Sequence, residues 1–227
     1  MSFGTNLQFL RKMNRGMTQE NLAERLGVSR QTISKWEMDL CFPEIEKALV
    51  LCEIFNCSLD ELLRGNINTD DEKYTQIKIE TLESFHYFMY TVISENPEDD
   101  SMEHVLKWAE RNQIQEPKII GWNFPYLSQE QVNVYHMHGY TTACIVPEGF
   151  VCDEGKIHLQ AKQRYVTMTI VEPSANPFVL IPNAYKTLAR YIEVNKLSYS
   201  NTLIIDFEYS YEKDGVNYMD IYLAIQD

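Results

Sequence analysis

The chain has 227 residues, 44% of them hydrophobic, which is enough for one large domain or two modest ones. No apolar run approaches the length that spans a membrane, so the composition argues against a membrane protein. The five Cys show no CxxC spacing, and an odd count without a signal peptide predicts buried free thiols in a reducing cytoplasm. The formal net charge of −13 is unfavourable for a protein that binds nucleic acid.

The charge is unevenly distributed along the chain. Residues 1–36 carry six Lys or Arg against two Asp or Glu, whereas the residues from 66 onward carry twelve against twenty-four. The acidic remainder opposes non-specific attraction to a polyanion. If residues 1–36 bind DNA, we therefore expect one copy of the chain to bind DNA with modest affinity, and two copies to be needed for tight binding.

Two short helical patterns meet at Gly27, where a positive φ angle costs little. Thr18 and Ser29 are the predicted N-caps of these helices, because their hydroxyl groups can accept from backbone N–H groups one turn later. The apolar positions repeat at helical spacing: Leu22, Ala23, Leu26, Ile33 and Trp36. Two helices joined by a tight turn are typical of a helix-turn-helix DNA-binding motif.

The second of these helices turns its polar side chains outward: Arg30, Gln31, Ser34 and Lys35, with Thr32 at the margin. Arg suits the paired acceptors of guanine, and Gln suits the acceptor and donor of adenine. The alternative is an ordinary helical hairpin with a solvated polar face, and the helical spacing by itself leaves the two readings about even.

Residues 3–63 resemble the helix-turn-helix domain of phage-repressor-like regulators of the XRE family. The matching positions are Thr18-Gln19-Glu20, Leu22-Ala23, Gly27-Val28-Ser29, Ile33-Ser34-Lys35-Trp36-Glu37, Pro43 and Ser58-Leu59-Asp60-Glu61-Leu62-Leu63. Asp39 departs from the family, which usually has Gly there, and we expect it to reshape the loop beside the phosphates. The resemblance implies operator DNA as a partner and this contact set: Gln19, Ser29 and Ser34 on phosphates, Arg30, Gln31 and Lys35 on bases, and Thr32 beside them.

The patterns predict an α+β chain with a five-helix domain at residues 1–65, a linker at 66–74 and a sheet domain at 75–227. The predicted elements of the sheet domain are strands at 76–80, 85–94, 118–122, 132–146, 203–211 and 216–225, a hairpin or strand at 156–171, and helices at 101–112 and 182–195. Their order is strand, helix, two strands, and then the same again. This repeat predicts two pseudo-symmetric halves that form one antiparallel sheet with both helices on one face.

The last two strands are predicted to form a hairpin with a three-residue loop, Lys213-Asp214-Gly215. A two-residue turn at Asp214-Gly215 would place the apolar sets of the two strands on opposite faces, and the longer loop puts them on the same face. This register places Asp206, Glu208 and Ser210 beside Tyr218, Asp220 and Tyr222. Carboxylates interleaved with Tyr suit a cavity wall, although simple solvent exposure is the alternative. Glu208 opposite Asp220 would raise the pKa of one of the two.

Residues 77–226 resemble the GyrI-like effector-binding domain, which also ends several AraC-type and MerR-type regulators. The supporting positions are Glu98-Asp99, Trp108-Ala109, Gly121-Trp122, Ile181-Pro182, Leu188-Ala189-Arg190-Tyr191-Ile192, Asp206-Phe207-Glu208-Tyr209 and Met219-Asp220-Ile221-Tyr222-Leu223-Ala224-Ile225. The resemblance implies a small-molecule groove between the halves, with Glu208 facing the ligand. The other candidate lining residues are Tyr222, Trp122, Phe124, Tyr140 and Tyr165, and for these side chains core packing is an equal alternative.

These observations together predict a bacterial one-component transcription regulator, a homodimer that binds operator DNA and a cationic or aromatic small molecule. His136 and His138 would share a face of a strand, but no third ligand stands at a telling distance, so we predict neither a metal site nor a cofactor. The alternative function is a GyrI-like hydrolase of small electrophiles fused to a DNA-binding domain, with Glu208 as general base. A third reading is a protein-interaction module without a small ligand.

Overall fold

The computed structural model describes residues 2–65, 73–153, 155–200 and 206–226, so most of the predicted linker, residues 66–72, lies outside the described residues. The chain forms two compact units, Met1–Thr75 with Asn176–Tyr199, and Gln76–Ala175 with Ser200–Asp227. The division differs from the predicted domains in assigning a helix near residue 180 to the first unit. Within these ranges, no helix is both long and apolar enough to cross a bilayer.

The helices are α1 (Phe3–Met13), α2 (Gln19–Leu26), α3 (Arg30–Glu37), α4 (Ile45–Phe55), α5 (Leu59–Arg64), α6 (Pro97–Arg111), α7 (Gln129–Asn133) and α8 (Pro177–Val194). The strands are β1 (Lys78–Leu82), β2 (Phe85–Ser94), β3 (Lys118–Asn123), β4 (His138–Val146), β5 (Ile157–Gln160), β6 (Gln163–Val171), β7 (Phe207–Lys213) and β8 (Val216–Ile225). The predicted α+β class and the five amino-terminal helices are confirmed.

The amino-terminal helices begin and end where local chemistry predicts. Thr18 accepts from the backbone N–H of Asn21, Ser29 accepts from that of Thr32, and Gly27 ends α2 with a φ of 64°. The side chains that are fully or almost fully buried form the core between these helices: Phe3, Leu7, Leu10, Leu22, Leu26, Ile33, Trp36, Leu51, Phe55 and Leu62. Because α2 and α3 are each only eight residues long, this burial rather than helix propensity stabilises them.

The start of α1 packs directly against the end of α3. A Cβ atom added to Gly4 would lie 2.6 Å from the carbonyl oxygens of both Trp36 and Glu37, so only glycine fits there. Asp39 adopts a left-handed conformation with a φ of 55°, and its Oδ1 accepts from the backbone N–H of Gly4 at 2.8 Å. The Asp39 carboxylate therefore satisfies a backbone N–H at the start of α1.

A buried ion pair joins α1 to the end of α3. The Arg11 Nε donates to the Glu37 Oε1 at 2.6 Å, and one terminal nitrogen of Arg11 donates to the Met17 carbonyl at 2.6 Å. The Gln19 Nε2 donates to the other oxygen of Glu37 at 2.8 Å. Both charged side chains are buried. The network fixes the position of α3 against α1 and the start of α2.

Helix α8 belongs to the first unit, where it contacts α1 and α4. The Asn195 Nδ2 donates to the carbonyl of Met13 at 3.1 Å, and Arg190 forms an ion pair with Glu61 of α5. The helix begins five residues before the predicted start at Pro182, which lies inside it. We predicted that α8 packs on the sheet. Within the first unit, it packs on the amino-terminal helices α1 and α4.

In the second unit, all strands pair antiparallel in one eight-stranded sheet of order β1-β6-β8-β7-β3-β4-β2-β5. The predicted repeat is confirmed, because β2, α6, β3 and β4 are followed by β6, α8, β7 and β8 in the same order. The halves meet where Gly121 of β3 pairs with Glu208 of β7. Helix α6 packs on β2 and β4. In the core between the helix and these strands, the rings of Phe88 and Trp108 stack with centroids 3.9 Å apart.

The sheet is strongly curled. Strands β1 and β2 are nearly at opposite ends of the strand order, yet only residues 83–84 separate them, and only residues 161–162 separate β5 from β6. The ring centroids of Phe85 on β2 and Phe207 on β7 lie 6.3 Å apart, although two strands stand between them. The face that carries these rings is therefore concave, and α6 covers the convex face.

The predicted register of the last hairpin is wrong. Lys213 pairs with Val216, so the turn has two residues, and Asp214 and Gly215 both have positive φ angles, as a type I′ turn requires. Glu208 therefore pairs with Ile221, and Tyr209 with Asp220. The predicted Glu208–Asp220 pair and the face of alternating carboxylates and Tyr do not form. The predicted strand residues Leu203 and Ile205 lie outside the described residues.

Two other predictions for the second unit are only partly right. The strand predicted at 132–146 begins only at His138, because residues 129–133 form α7 under a Ser128 capping box. Of the hairpin or strand predicted at 156–171, the strand alternative holds: the segment forms β5 and β6, which are not a hairpin, since β5 pairs with β2 whereas β6 pairs with β1 and β8. Although the connection between β5 and β6 is short, the chain passes there from one end of the strand order to near the other.

Candidate DNA-reading helix and ligand site

The outward face of α3 carries the residues that we predicted to contact bases. Arg30, Gln31 and Lys35 are exposed, whereas Ile33 and Trp36 are buried beneath them. Ser29 is exposed at the start of the helix, and Thr32 and Ser34 are half-buried at its sides. The structure therefore places five of the seven DNA-contact candidates on α3 and a sixth, Ser29, at its N-cap.

Arg30 is held across the turn by a surface ion pair. Its Nε lies 2.8 Å from the Oε1 of Glu20, and the two side chains are 64% and 58% exposed. A pair this exposed contributes at most ~1 kcal/mol, so a guanine edge could displace Glu20 at small cost. Glu20 can thus pre-orient Arg30 without preventing base contact.

Gln19 lies at the first position of α2, where free backbone N–H groups suit a phosphate. Its side-chain nitrogen is already engaged by the carboxylate of Glu37, as described above. The predicted phosphate contact of Gln19 therefore stays a prediction for its backbone N–H. Glu37, which lies 18 residues later in the chain, orients this side chain.

The six predicted ligand-binding residues lie in different places. Tyr140 and Glu208 meet on the convex face of the sheet. Three others belong to an aromatic cluster on the concave face, with Phe85, Tyr87 and Phe207: Trp122, Tyr165 and Tyr222. Phe124 follows β3 and packs on Tyr126, with ring centroids 5.4 Å apart. The six residues therefore do not form a single site.

Tyr140 and Glu208 form a buried polar pair at the junction of the two halves. The Tyr140 hydroxyl donates to the Glu208 Oε2 at 3.2 Å, and both residues are only 8% exposed. Gly121 makes this contact possible, because a Cβ atom at that position would lie 2.4 Å from the Tyr140 hydroxyl oxygen. The tyrosine ring thus crosses the bare backbone of β3 to reach a carboxylate on β7.

The surroundings of this pair are acidic. Burial, followed by the negative charges of Glu208 and then Glu98, raises the pKa of Tyr140, so its hydroxyl stays protonated as a donor. Burial and the neighbouring Asp99 raise the pKa of Glu98 on α6. A protonated hydroxyl beside two carboxyl groups would favour a cation over an anion.

The concave cluster is densely packed aromatic core. The rings of Phe207 and Tyr222 stack at 4.6 Å, and Tyr165 meets both edge-on. Burial raises the pKa of Tyr165 and of Tyr222 well above the usual value of a tyrosine, so both hydroxyl groups stay neutral. The core-packing alternative therefore describes Tyr165 and Tyr222 better than a role in ligand binding.

The histidines flagged by spacing do not come together as predicted. His138 begins β4, but His136 precedes the strand in a left-handed conformation with a φ of 50°. In the described part of the chain, no three His, Cys, Asp or Glu side chains are grouped to hold a metal ion.

Known proteins are similar to this chain over the segment that contains α3. Residues 7–62, which include α2, the turn at Gly27 and α3, match the family model described as helix-turn-helix. This segment is a helix-turn-helix domain. The chain is 45% identical over 65 residues to the HTH-type transcriptional activator BcrR of Enterococcus faecalis, a match that covers 29% of this chain and 31% of BcrR. The chain thus spans about a third of that relative.

Two solved structures show similarity to the two parts of the chain. The P22 c2 repressor in complex with a synthetic operator is 33% identical over 29% of this chain and 98% of its own, with a TM-score of 0.28. SAV2435 bound to tetraphenylphosphonium is 10% identical over 67% of this chain and 94% of its own, with a TM-score of 0.42.

Sequence reasoning missed two residues that organise these sites. Glu37 anchors both Arg11 and Gln19 in the helix-turn-helix domain, and Gly121 makes room for Tyr140. Gly121 was part of a quoted motif, and a glycine inside a predicted strand could have signalled a close approach. No local signal marks Glu37 as buried, because its partner lies 26 residues away.

Proposed function

We propose that the protein is a ligand-responsive transcription regulator that binds operator DNA through its helix-turn-helix domain. The observation that carries the proposal is the exposed face of α3, on which Arg30, Gln31 and Lys35 stand above a buried Ile33 and Trp36. Long donors and acceptors on a rigid helix suit base edges in a major groove. Action on chromosomal DNA would place the protein in the cytoplasm.

The proposal includes a homodimer. Dimeric helix-turn-helix proteins insert two reading helices into successive major grooves about 34 Å apart, and the acidic remainder of this chain disfavours binding by one copy. Large apolar side chains are exposed immediately after α3: Met38, Leu40, Phe42 and Ile45, at 58%, 68%, 66% and 56%. Apolar residues that cluster on a surface often mark a protein contact. Sedimentation equilibrium of the DNA-free protein measures this association.

We further propose that a small lipophilic cation binds at the Glu208–Tyr140 pair. The support is a buried carboxylate at the meeting point of the two halves, with Glu98 adding negative charge. Helix α8 would carry the signal, because it lies between β6 and β7 in the chain but contacts α1 and α4 of the DNA-binding unit. A ligand that binds one pose of the protein more tightly would change operator affinity.

Sensing is preferred to hydrolysis at this site. Glu208 already accepts from Tyr140, and the raised pKa of that hydroxyl opposes its use as a nucleophile. A hydrolase would turn over a small electrophile, and the turnover would vanish in Glu208→Gln. That result would replace the sensing proposal at this site.

The DNA-binding proposal is tested by selecting bound sequences from random DNA. Gln31→Ala should relax the preference at one operator position, by ~10- to 100-fold if the amide reads a base in bidentate fashion. Gln8→Ala, an exposed glutamine on α1, is the matched control and should leave the preference unchanged. A uniform loss of affinity for all sequences in Gln31→Ala would show that this residue does not read bases.

A further inference from the structure

Two cysteines, Cys52 and Cys57, lie together at the corner between α4 and α5. Both are free thiols. Helix α4 ends at Phe55, and Asn56 then turns the chain in a left-handed conformation with a φ of 48°. After this turn, the backbone N–H of Cys57 donates to the carbonyl of Cys52 at 3.1 Å. A backbone hydrogen bond therefore joins the two residues across the end of the helix.

The backbone at this corner brings the two cysteines within the range of a disulfide. A bond from the second residue beyond a helix back to its last turn marks a Schellman motif, in which the two side chains frequently contact each other. Standard covalent lengths added to this bond place the two Cα atoms at most ~7 Å apart. Disulfides usually join Cα atoms that are ~4–7 Å apart, so the corner can hold one without a large movement of the backbone.

The two thiols also face each other. The Cys57 thiol is close enough to the sulfur of Cys52 to donate a hydrogen bond to it. Cys52 is buried, whereas Cys57 is half-buried and accessible to a small reagent. The corner therefore has one accessible thiol and a second, buried thiol in contact with it. The alternative is that both side chains act only as small apolar groups that complete the helix end.

The environment of the pair favours a disulfide over a metal ion. Burial, followed by the neighbouring Cys52, raises the pKa of Cys57 to about 12, and burial raises the pKa of Cys52. Both sulfurs therefore carry a proton at neutral pH. A disulfide is as neutral as the two thiols it replaces, whereas a metal ion would require thiolates in this corner.

The same corner carries a contact that holds α8. Ser58, the neighbour of Cys57, caps α5 by accepting from the backbone N–H of Glu61, and Glu61 forms an ion pair with Arg190 of α8. The charges of Arg190 and Glu61 both act on the Cys57 thiol, so this ion pair lies beside the two cysteines. A bond between the sulfurs of Cys52 and Cys57 would restrain the start of α5, to which α8 is joined.

We propose that Cys52 and Cys57 form a reversible disulfide when the protein meets a low-molecular-weight disulfide such as oxidised glutathione. The thiolate of Cys57 first attacks one sulfur of the reagent and expels one molecule of reduced glutathione. The thiolate of Cys52 then attacks the Cys57 sulfur of the mixed disulfide and expels the second. The two cysteine protons end on the two released glutathione molecules, and the reagent is reduced as the cysteine pair is oxidised. Neither step depends on DNA or on a ligand at Glu208.

Peptide mapping of the full chain tests the proposal. Trypsin cleaves after Lys and Arg, which leaves both cysteines in one peptide, 48–64. The chain is treated with oxidised glutathione, and the remaining thiols are then alkylated in denaturant. This peptide should lack two hydrogen atoms and carry neither glutathione nor an alkyl group. Alkyl groups or glutathione on both Cys52 and Cys57, or a cross-link from either one to another peptide, would overturn the proposal.

The yield of the bond and two variants give the test its controls. In millimolar reduced glutathione, the internal disulfide should exceed the mixed disulfide of Cys57 by at least ~10-fold, because a neighbouring thiol held in place has a high effective concentration. Cys52→Ala removes the second thiol, so glutathione should persist on Cys57. Cys41→Ser removes an exposed cysteine outside the corner and should leave the yield unchanged. An internal disulfide no more abundant than the mixed disulfide would show that the two thiols are not held together.

The melting temperature shows whether the native corner accommodates the bond. A disulfide that fits the native geometry stabilises a protein by restricting its unfolded chain, so the oxidised chain should melt at a higher temperature than the reduced chain. Cys57→Ser cannot close the bond, and it measures the effect of glutathione on the other cysteines, so it should not gain stability. A lower melting temperature after oxidation of the unchanged chain would mean that the bond forms only when the corner opens, and the native site would be wrong.

Discussion

Glu37→Leu should lower the free energy of unfolding of the helix-turn-helix domain by about 3–5 kcal/mol, the usual cost of breaking a buried ion pair by removing one partner. The substitution leaves the Arg11 guanidinium buried without its carboxylate and also removes the acceptor of Gln19. Denaturant unfolding followed by circular dichroism measures the change. Operator binding should fall in parallel, since α3 loses its anchor to α1.

Two further variants identify the cause. Glu24→Leu changes an exposed glutamate on α2 and should cost less than about 0.5 kcal/mol. The double variant Arg11→Met with Glu37→Leu replaces both charges by apolar groups, and should recover most of the stability. A loss below about 1 kcal/mol in Glu37→Leu would contradict the buried position that we assign to this pair.

Glu208→Gln should weaken binding of tetraphenylphosphonium, used here as a lipophilic cation, by ~10- to 100-fold. The substitution keeps the size and an acceptor for Tyr140 but removes the negative charge, and interactions with charged groups contribute ~1.5–3 kcal/mol. Fluorescence titration of the full chain measures the affinity. Tetraphenylborate has the same shape and the opposite charge, so it should bind at least ~100-fold more weakly to the unchanged protein.

Glu212→Gln is the matched control for this prediction. Glu212 points to the same face of β7 four residues away, and it is exposed, so its loss should leave cation affinity within ~2-fold. Gly121→Ala should resemble Glu208→Gln in affinity, because the added Cβ displaces the Tyr140 ring from its place above β3. Equal weakening in Glu212→Gln and Glu208→Gln would indicate general acidity rather than a site at Glu208.

The helix-turn-helix domain could be predicted from sequence because its signals are local. Thr18, Gly27, Ser29 and Ser58 act on backbone groups within one helical turn, and the structure places caps or helix ends at each. The role of Asp39 was not predictable in this way. We expected it to disturb a loop, but it bonds to a backbone N–H that lies 35 residues earlier.

The register of the last hairpin failed for a different reason. The prediction assumed one apolar face and one polar face, which holds for a sheet with one solvated side. Strand β8 is buried on both sides, since Ile221 and Leu223 on the convex face and Ala224 on the concave face are all at most 5% exposed. Alternation then carries no information about register, and the Asp214-Gly215 turn, which the sequence did contain, decides it.

The curl of the sheet also explains why the residues predicted to line one ligand site lie on different faces of the sheet. Aromatic residues are abundant in both halves, and composition cannot distinguish those that fill the concave core from those that reach the convex face. Trp122 and Gly121 are neighbours in the chain but lie on opposite faces of β3. Successive residues of a strand face opposite sides of the sheet. Once the strand pairing is known, this alternation places Trp122 against the aromatic core and Gly121 beside the Tyr140–Glu208 pair.

The strand that precedes each half pairs with the first strand of the other half. Strand β1 precedes the first half but pairs with β6 of the second, and β5 precedes the second half but pairs with β2 of the first. A fragment containing either half alone would expose an unpaired strand edge, which promotes self-association. The two repeats therefore form one cooperative folding unit, and neither can be excised, exchanged between proteins or left partly folded without the other.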